Sequence, residues 1–189
     1  AVLGRADRVL VGPSGEPADD ALHESFRTAG APVDQVARGE SGMLGDLRWT
    51  VLWPPTRLAG IEPGNPASVT VEFRGVGSCP DGCLSSILLG DLGEDSQNRL
   101  LASHLVREVD VVKVSHHGSA DQSPALYARL GASVGVIGVG ADNGYGHPTD
   151  ELLGILDDVG TVPERTDRQG LILLSPGSAP GAVRVWSER

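Results

Sequence analysis

Val111-Val112-Lys113-Val114-Ser115-His116-His117-Gly118-Ser119 is a nearly all-apolar run that ends abruptly in a polar cluster. A β-branched run of this length reads as a buried strand, and side chains at the carboxyl end of such a strand are well placed for a site. Two adjacent imidazoles there offer nitrogen ligands for a divalent metal, and Gly118 lets backbone approach closely. On a continuing strand the two rings would point to opposite faces, so one of them is expected as the direct ligand. The plainer alternative is a polar turn with one hydrogen-bonded core histidine.

Similar apolar runs recur along the chain, at 8–11, 49–53, 68–73, 84–89, 109–114, 134–139, 171–174 and 183–186, and their length and β-branching predict strands. Helical spacing is found at 18–29, 94–106, 123–130 and 150–159, with Thr149 as N-cap and Gly160 as stop for the last. From 49 to 89 the strands follow one another as in an antiparallel sheet, whereas from Glu94 onward helix and strand alternate. The expected class is a mixed α/β sheet with helices packed against it, an α+β or layered α/β domain spanning 1–189 as one unit. The Gly/Pro-rich 175–181 reads as a hairpin turn.

The 189 residues, 40% of them apolar, suffice for a core without staples and exclude disorder as the main theme. Fifteen Lys and Arg against twenty-five Asp and Glu leave a net charge of −10. Such a surface repels a polyanion, so any nucleic-acid role needs a local positive site or a bound cation. No apolar run approaches the roughly 20 residues of a membrane-spanning helix. The chain opens at Ala1 without an initiator Met, which we read as a cut from something longer. Cys79 and Cys83 flank a turn-forming Pro80-Asp81-Gly82. A disulfide across a hairpin tip and two free thiols both fit that spacing; a metal clip would need further partners, and none lies nearby.

Two more strand ends carry polar groups. Ser86-Ile87-Leu88-Leu89-Gly90-Asp91 ends in a carboxylate that either caps the next helix or binds a cation. Its end meets the histidine pair if the two strands are parallel neighbours. Gly140-Ala141-Asp142-Asn143-Gly144-Tyr145-Gly146-His147-Pro148 follows another apolar strand, and His147 there either serves an anion or an acid step, or decorates a turn. Asn65-Pro66-Ala67-Ser68 and Thr166-Asp167-Arg168-Gln169-Gly170 read alone as turns. His23 and His104 are expected on the surface of polar helices.

In this order the segments resemble the carboxy-terminal half of a metallo-β-lactamase-fold domain, and most specifically the hydrolase domain of the ComEC family of DNA-uptake competence proteins. That family shows a Gly-Asp strand end, a Lys-x-Ser-His-His-Gly-Ser segment and a Tyr-Gly-His-Pro loop, and the likeness runs from about Asp7 to Trp186. The resemblance implies a four-layered αββα sandwich, of which this chain supplies the second sheet and part of the first. It implies Asp91 as a carboxylate bridging two divalent ions, zinc or manganese, His117 as a terminal ligand and His116 beside it. Lys113 and His147 would face the substrate anion, with Asn65, Ser68 and Ser119 at the edge of the site. The implied reaction is metal-assisted hydrolysis of the DNA strand that is not imported, on the outer face of the bacterial cell membrane, beside a channel domain of the same protein.

Two departures from the family pattern bear on this. Pro66 stands where a second Asn is usual. The His-x-His-x-Asp-His motif that supplies most of the metal ligands is absent from 1–189, and the chain is expected to start a few residues after it. Catalytic zinc generally takes three protein ligands and a water. The chain by itself is therefore expected to bind metal weakly and to cleave nothing, and its open sheet edges invite dimerisation. Competing readings are a hydrolase of the same fold acting on a phosphorylcholine ester or a lactone, and a binding module without chemistry.

Overall fold

The computed structural model describes residues 6–77, 79, 82–179 and 181–189. The sequence expectations for 1–5, for the Pro80-Asp81 turn and for Pro180 lie outside these residues. The chain runs β1 (Val9–Val11), α1 (Pro17–Thr28), β2 (Val33–Gln35), β3 (Ser41–Leu44), β4 (Leu47–Trp53), β5 (Thr70–Gly75), β6 (Ser86–Leu88), α2 (Glu94–Ala102) and β7 (Val111–Lys113). It continues through α3 (Pro124–Leu130), β8 (Val134–Ile137), α4 (Asp150–Asp158), β9 (Val162–Arg165), α5 (Thr166–Gln169), β10 (Ile172–Pro176) and β11 (Val183–Ser187).

Strands β3 to β9 form a seven-stranded sheet in sequence order. Its first half is antiparallel, β3 through β6, and its second half parallel, β6 through β9. The mixed α/β class is thus as the sequence predicts, with the change of direction at β6. Antiparallel neighbours need only short turns; parallel ones need the crossover helices α2, α3 and α4. Outside this sheet, β1 and β2 pair in parallel, and β10 and β11 form an antiparallel hairpin around the expected turn.

Alternation along the strands separates two faces. Ile87, Val112 and Ile137 point to one face, fully buried under Leu100 of α2, Leu126 and Leu130 of α3, and Leu152 and Leu156 of α4. Thr149 caps α4 as expected, its hydroxyl accepting from Leu152 N at 3.3 Å. The other face is only partly covered. The β10–β11 hairpin stands over it, leaving a groove of about 520 Å³ between Leu88, Val111, Val136, Leu174 and Pro176, and Leu88 is 41% exposed.

Several expectations are corrected. Strand 134–139 stops at Ile137, strand 109–114 is Val111–Lys113, and helix 94–106 stops at Ala102, with His104 after it and not on it. Strands β2, β3 and β9 were not expected, and Thr166–Gln169 is a single helical turn. Cys79 and Cys83, at the tip between β5 and β6, are joined in a disulfide with Cα atoms 5.5 Å apart.

Candidate functional site

Strands β6 and β7 are parallel neighbours, with Leu88 opposite Lys113. Their polar ends therefore meet at one edge of the sheet, and the β8–α4 loop with His147 leaves from the same edge.

Just past β6, Gly90 takes φ +61°, where a side chain would also come within 2.8 Å of Ser68 Cβ. Ser68 thus packs against the turn that presents Asp91. Lys113 at the end of β7 reaches back across this turn. Its Nζ donates to Gly90 O at 3.0 Å and lies 3.7 Å from Asp91 Oδ1. Burial lowers the Lys113 pKa, with Asp91 opposing that shift.

The strand ends at Lys113 and does not continue into the histidines, so the turn is found and not the opposite-facing pair of a continuing strand. Ser115–Gly118 forms a 3-10 turn in which His116 and His117 adopt left-handed φ of 46° and 53°. That conformation costs a non-glycine residue roughly 1–2 kcal/mol. Gly118 follows at φ +86°, where a Cβ would lie 2.6 Å from Pro148 Cβ, so no other residue fits beneath the next loop. Backbone bonds fasten the turn on both sides: His116 N to Gly90 O at 3.1 Å, and Thr149 N to Gly118 O at 2.9 Å.

His117 Nδ1 lies 2.6 Å from Gly138 O. A carbonyl only accepts, so Nδ1 carries the proton and Nε2 presents its lone pair, the arrangement in which a histidine serves as a metal ligand. His116 meets His147 edge-on, ring centroids 5.9 Å apart, with Tyr145 beyond at 6.1 Å from His147. Burial, then His116 and His117, push the His147 pKa down, which favours its neutral form. Asn143 shapes this loop, donating to His147 O at 2.7 Å and accepting from Tyr145 N at 3.0 Å.

A cleft of about 370 Å³ opens beside these groups, with Asp91 and His116 on one wall and Asn65, Asp95, Arg99 and Asp121 around it. Of the residues singled out in the sequence, Asp91, His116 and Asn65 thus share this cleft, and Lys113 and His147 adjoin it through Asp91 and His116. Ser119 is turned inward, 8% exposed, its hydroxyl accepting from Gln122. Among the described residues, no group of three or more His, Cys, Asp or Glu side chains is arranged to hold a metal ion.

Sequence reasoning missed what lies underneath. Gln97, Gln122, Ser123 and Tyr127 are buried and bonded to one another, with Tyr127 OH accepting from Ser115 N at 3.3 Å. Burial pushes the Tyr127 phenol pKa up, partly opposed by the Ser115 N–H. Thr166, read as part of a turn, accepts from Val139 N at 2.8 Å and lies 2.7 Å from Val139 O, tying α5 to the end of β8. Neither Gln97, in the polar first half of α2, nor Gln122, just before α3, stands in a recognisable motif.

No family model matches the chain. It is 30% identical over 181 residues to ComE operon protein 3 of Bacillus subtilis (strain 168), an alignment that takes in 94% of this chain and 22% of that protein. The chain is thus related to a segment of that protein and spans about a fifth of its length.

Proposed function

We propose that this chain is the later part of a metallo-β-lactamase-fold phosphodiesterase domain in a ComEC-type competence protein, acting on the DNA strand that is not taken up. The observation that carries this reading is the meeting of Asp91, Lys113, the His116-His117 turn and His147 at one sheet edge. These are the residues to which the ComEC resemblance gives roles, and the similarity to ComE operon protein 3 supports the assignment. That protein is far longer, and the reading seats this part beside a channel domain of the same molecule at the outer membrane face. Among the described residues no helix is long and apolar enough to cross a membrane.

The chain's own groups suit holding a phosphodiester. Lys113, tethered by Gly90 O, supplies a local cation in a chain of net charge −10 and draws a phosphate oxygen toward Asp91. His147 in its neutral form offers an N–H to the same anion without adding charge of its own. Asn65, on the cleft wall, offers amide donors to the neighbouring nucleotide.

A pair of divalent ions would supply an activated water near neutral pH and neutralise charge on the phosphate. The donors here, Asp91 and His117 with His116 nearby, do not complete such a centre, since no three of these side-chain types converge among the described residues. A metal-dependent reaction therefore requires ligands beyond those the described residues bring together, and no step above runs through a metal.

The test is a nuclease assay with zinc, manganese or magnesium on three proteins: this chain, the protein extended upstream, and the extended protein carrying Asp91→Ala. The extended protein is expected to cleave DNA, and the other two are not. Robust cleavage by 1–189 overturns the incomplete-centre argument, and an active Asp91→Ala overturns the site. Binding without cleavage by the extended protein would favour the binding-module reading.

A further inference from the structure

The left-handed histidine turn is gripped at both ends by a single buried side chain. Gln122, 3% exposed, donates from Nε2 to Ser115 O at 3.2 Å and to Ser119 Oγ at 3.2 Å, the residues that bracket His116, His117 and Gly118. Its Oε1 accepts from Gln97 Nε2 at 2.8 Å and from Tyr127 OH at 2.8 Å. Both donors and both acceptor positions of the amide are in use, so its orientation is settled by its partners. Turned over, it would set oxygen against Ser115 O and an NH₂ against that of Gln97.

Gln97 is anchored in its turn, donating to Leu92 O at 2.7 Å and accepting from Ser123 N at 2.9 Å. The grip thus runs from the histidine turn into the starts of α2 and α3. A left-handed pair persists only where its surroundings over-determine it. The backbone bonds to Gly90 O and Gly118 O do not depend on side-chain identity; the hold by Gln122 does.

We propose that Gln122 is a positioning residue for the histidine pair. Through Ser115 and Ser119 it keeps the turn in the shape that directs His117 Nδ1–H to Gly138 O and leaves Nε2 free for a ligand or substrate. This inference rests on the functional reading of the site given above, but its test needs neither metal nor DNA.

The experiment records the side-chain ¹⁵N and ¹³C resonances of His117 in the metal-free 189-residue chain, at a pH where the ring is neutral. The wild-type ring is expected to show a protonated Nδ1 and a bare Nε2. Gln122→Met keeps the length of the side chain and removes all four bonds, and is expected to shift His117 to the tautomer mixture of a free imidazole. Ser119→Ala removes one end of the grip and is expected to give a smaller shift in the same direction; it carries the test if Gln122→Met does not fold. An unchanged His117 signal in whichever of the two folds overturns the proposal, whatever the nuclease assay gives. A released His117 alongside an active Asp91→Ala nuclease supports the positioning role and overturns the functional reading instead.

Discussion

The two faces of the seven-stranded sheet are built from similar strands and meet different fates. On one, Ile87, Val112 and Ile137 are sealed under α2, α3 and α4, and the polar groups Gln97, Ser115 and Gln122 have found partners. On the other, Leu88 and Val162 at 41% and 55% exposure lie against open groove or solvent. Residue type alone therefore does not say which side of a strand is core. Stability should concentrate on the helix-clad face, and substitutions on the two sides should differ accordingly.

The largest difference is expected from truncating matched leucines. Leu156→Ala, at a fully buried position, should lower the unfolding free energy by about 2–5 kcal/mol in a denaturant titration. Leu88→Ala on the open face should cost less than about 1 kcal/mol. Equal costs would mean that the groove is closed in solution and would break the contrast.

Polar groups sharpen it next. Glu72 is buried on the helix-clad face, with Arg74 Nη2 2.8 Å from one carboxylate oxygen and Arg107 paired to the other. Removing one partner of such a pair strands charge, so Glu72→Gln should destabilise, by roughly 1–3 kcal/mol because both arginines retain some water. A thermal melt unchanged by Glu72→Gln would show that the arginines are solvated without it.

At the tip between β5 and β6, the disulfide closes a very short loop, and the chain-entropy relation puts its contribution near 2 kcal/mol. Thiol titration of non-reduced protein should find no free thiol, and reduction should lower Tm without altering the helix-clad core.

The smallest effect belongs to the far edge of the sheet. The hydrogen bonds and charge of Arg165 hold the Asp167 carboxyl below its usual range. A lowered folded-state pKa means that this contribution is complete above the ordinary carboxylate range and is lost as pH falls through the lowered value. Asp167→Asn should thus cost at most about 1 kcal/mol at neutral pH, and the gap from wild type should close in acid. A gap that stays constant down to pH 2 would rule out the ion pair as its source.

Most of this framework is legible in the sequence where a strand is a continuous apolar run, as at β4, β5, β7 and β8. It fails where a strand is short and marked by a turn residue. β3 is Ser41-Gly42-Met43-Leu44, where Gly42 leaves room for the Trp49 ring on the next strand, and β9 holds Pro163, which an edge strand tolerates and a turn also favours. Of the site, the strand-end Asp91 and the histidine pair could be read, because polar residues closing an apolar run are conspicuous. A turn is one of the two readings open there, but its left-handed backbone is not legible, since neither histidine is a residue type that demands positive φ. Gln122 was silent for a related reason: its importance lies in contacts with Gln97, 25 residues away, and with the backbone of the turn it supports.

The change from antiparallel to parallel pairing at β6 also sets an order in time. β3, β4, β5 and β6 are joined by the shorter connections, 45–46, 54–69 and 76–85, whereas β7, β8 and β9 each pair only after an intervening helix has closed a longer one, 89–110, 114–133 and 138–161. Loop closure precedes the contacts that reward it, so local pairings form sooner. We expect the hairpins to appear early, with Asp91 waiting at their edge, and the histidine turn to be the last part of the site assembled. High φ-values in β4 and β5 and low ones in β7 and β8 would bear this out, and the reverse would refute it. During that interval β6 presents an unpaired edge, the stretch of this chain most open to wrong pairing as it folds.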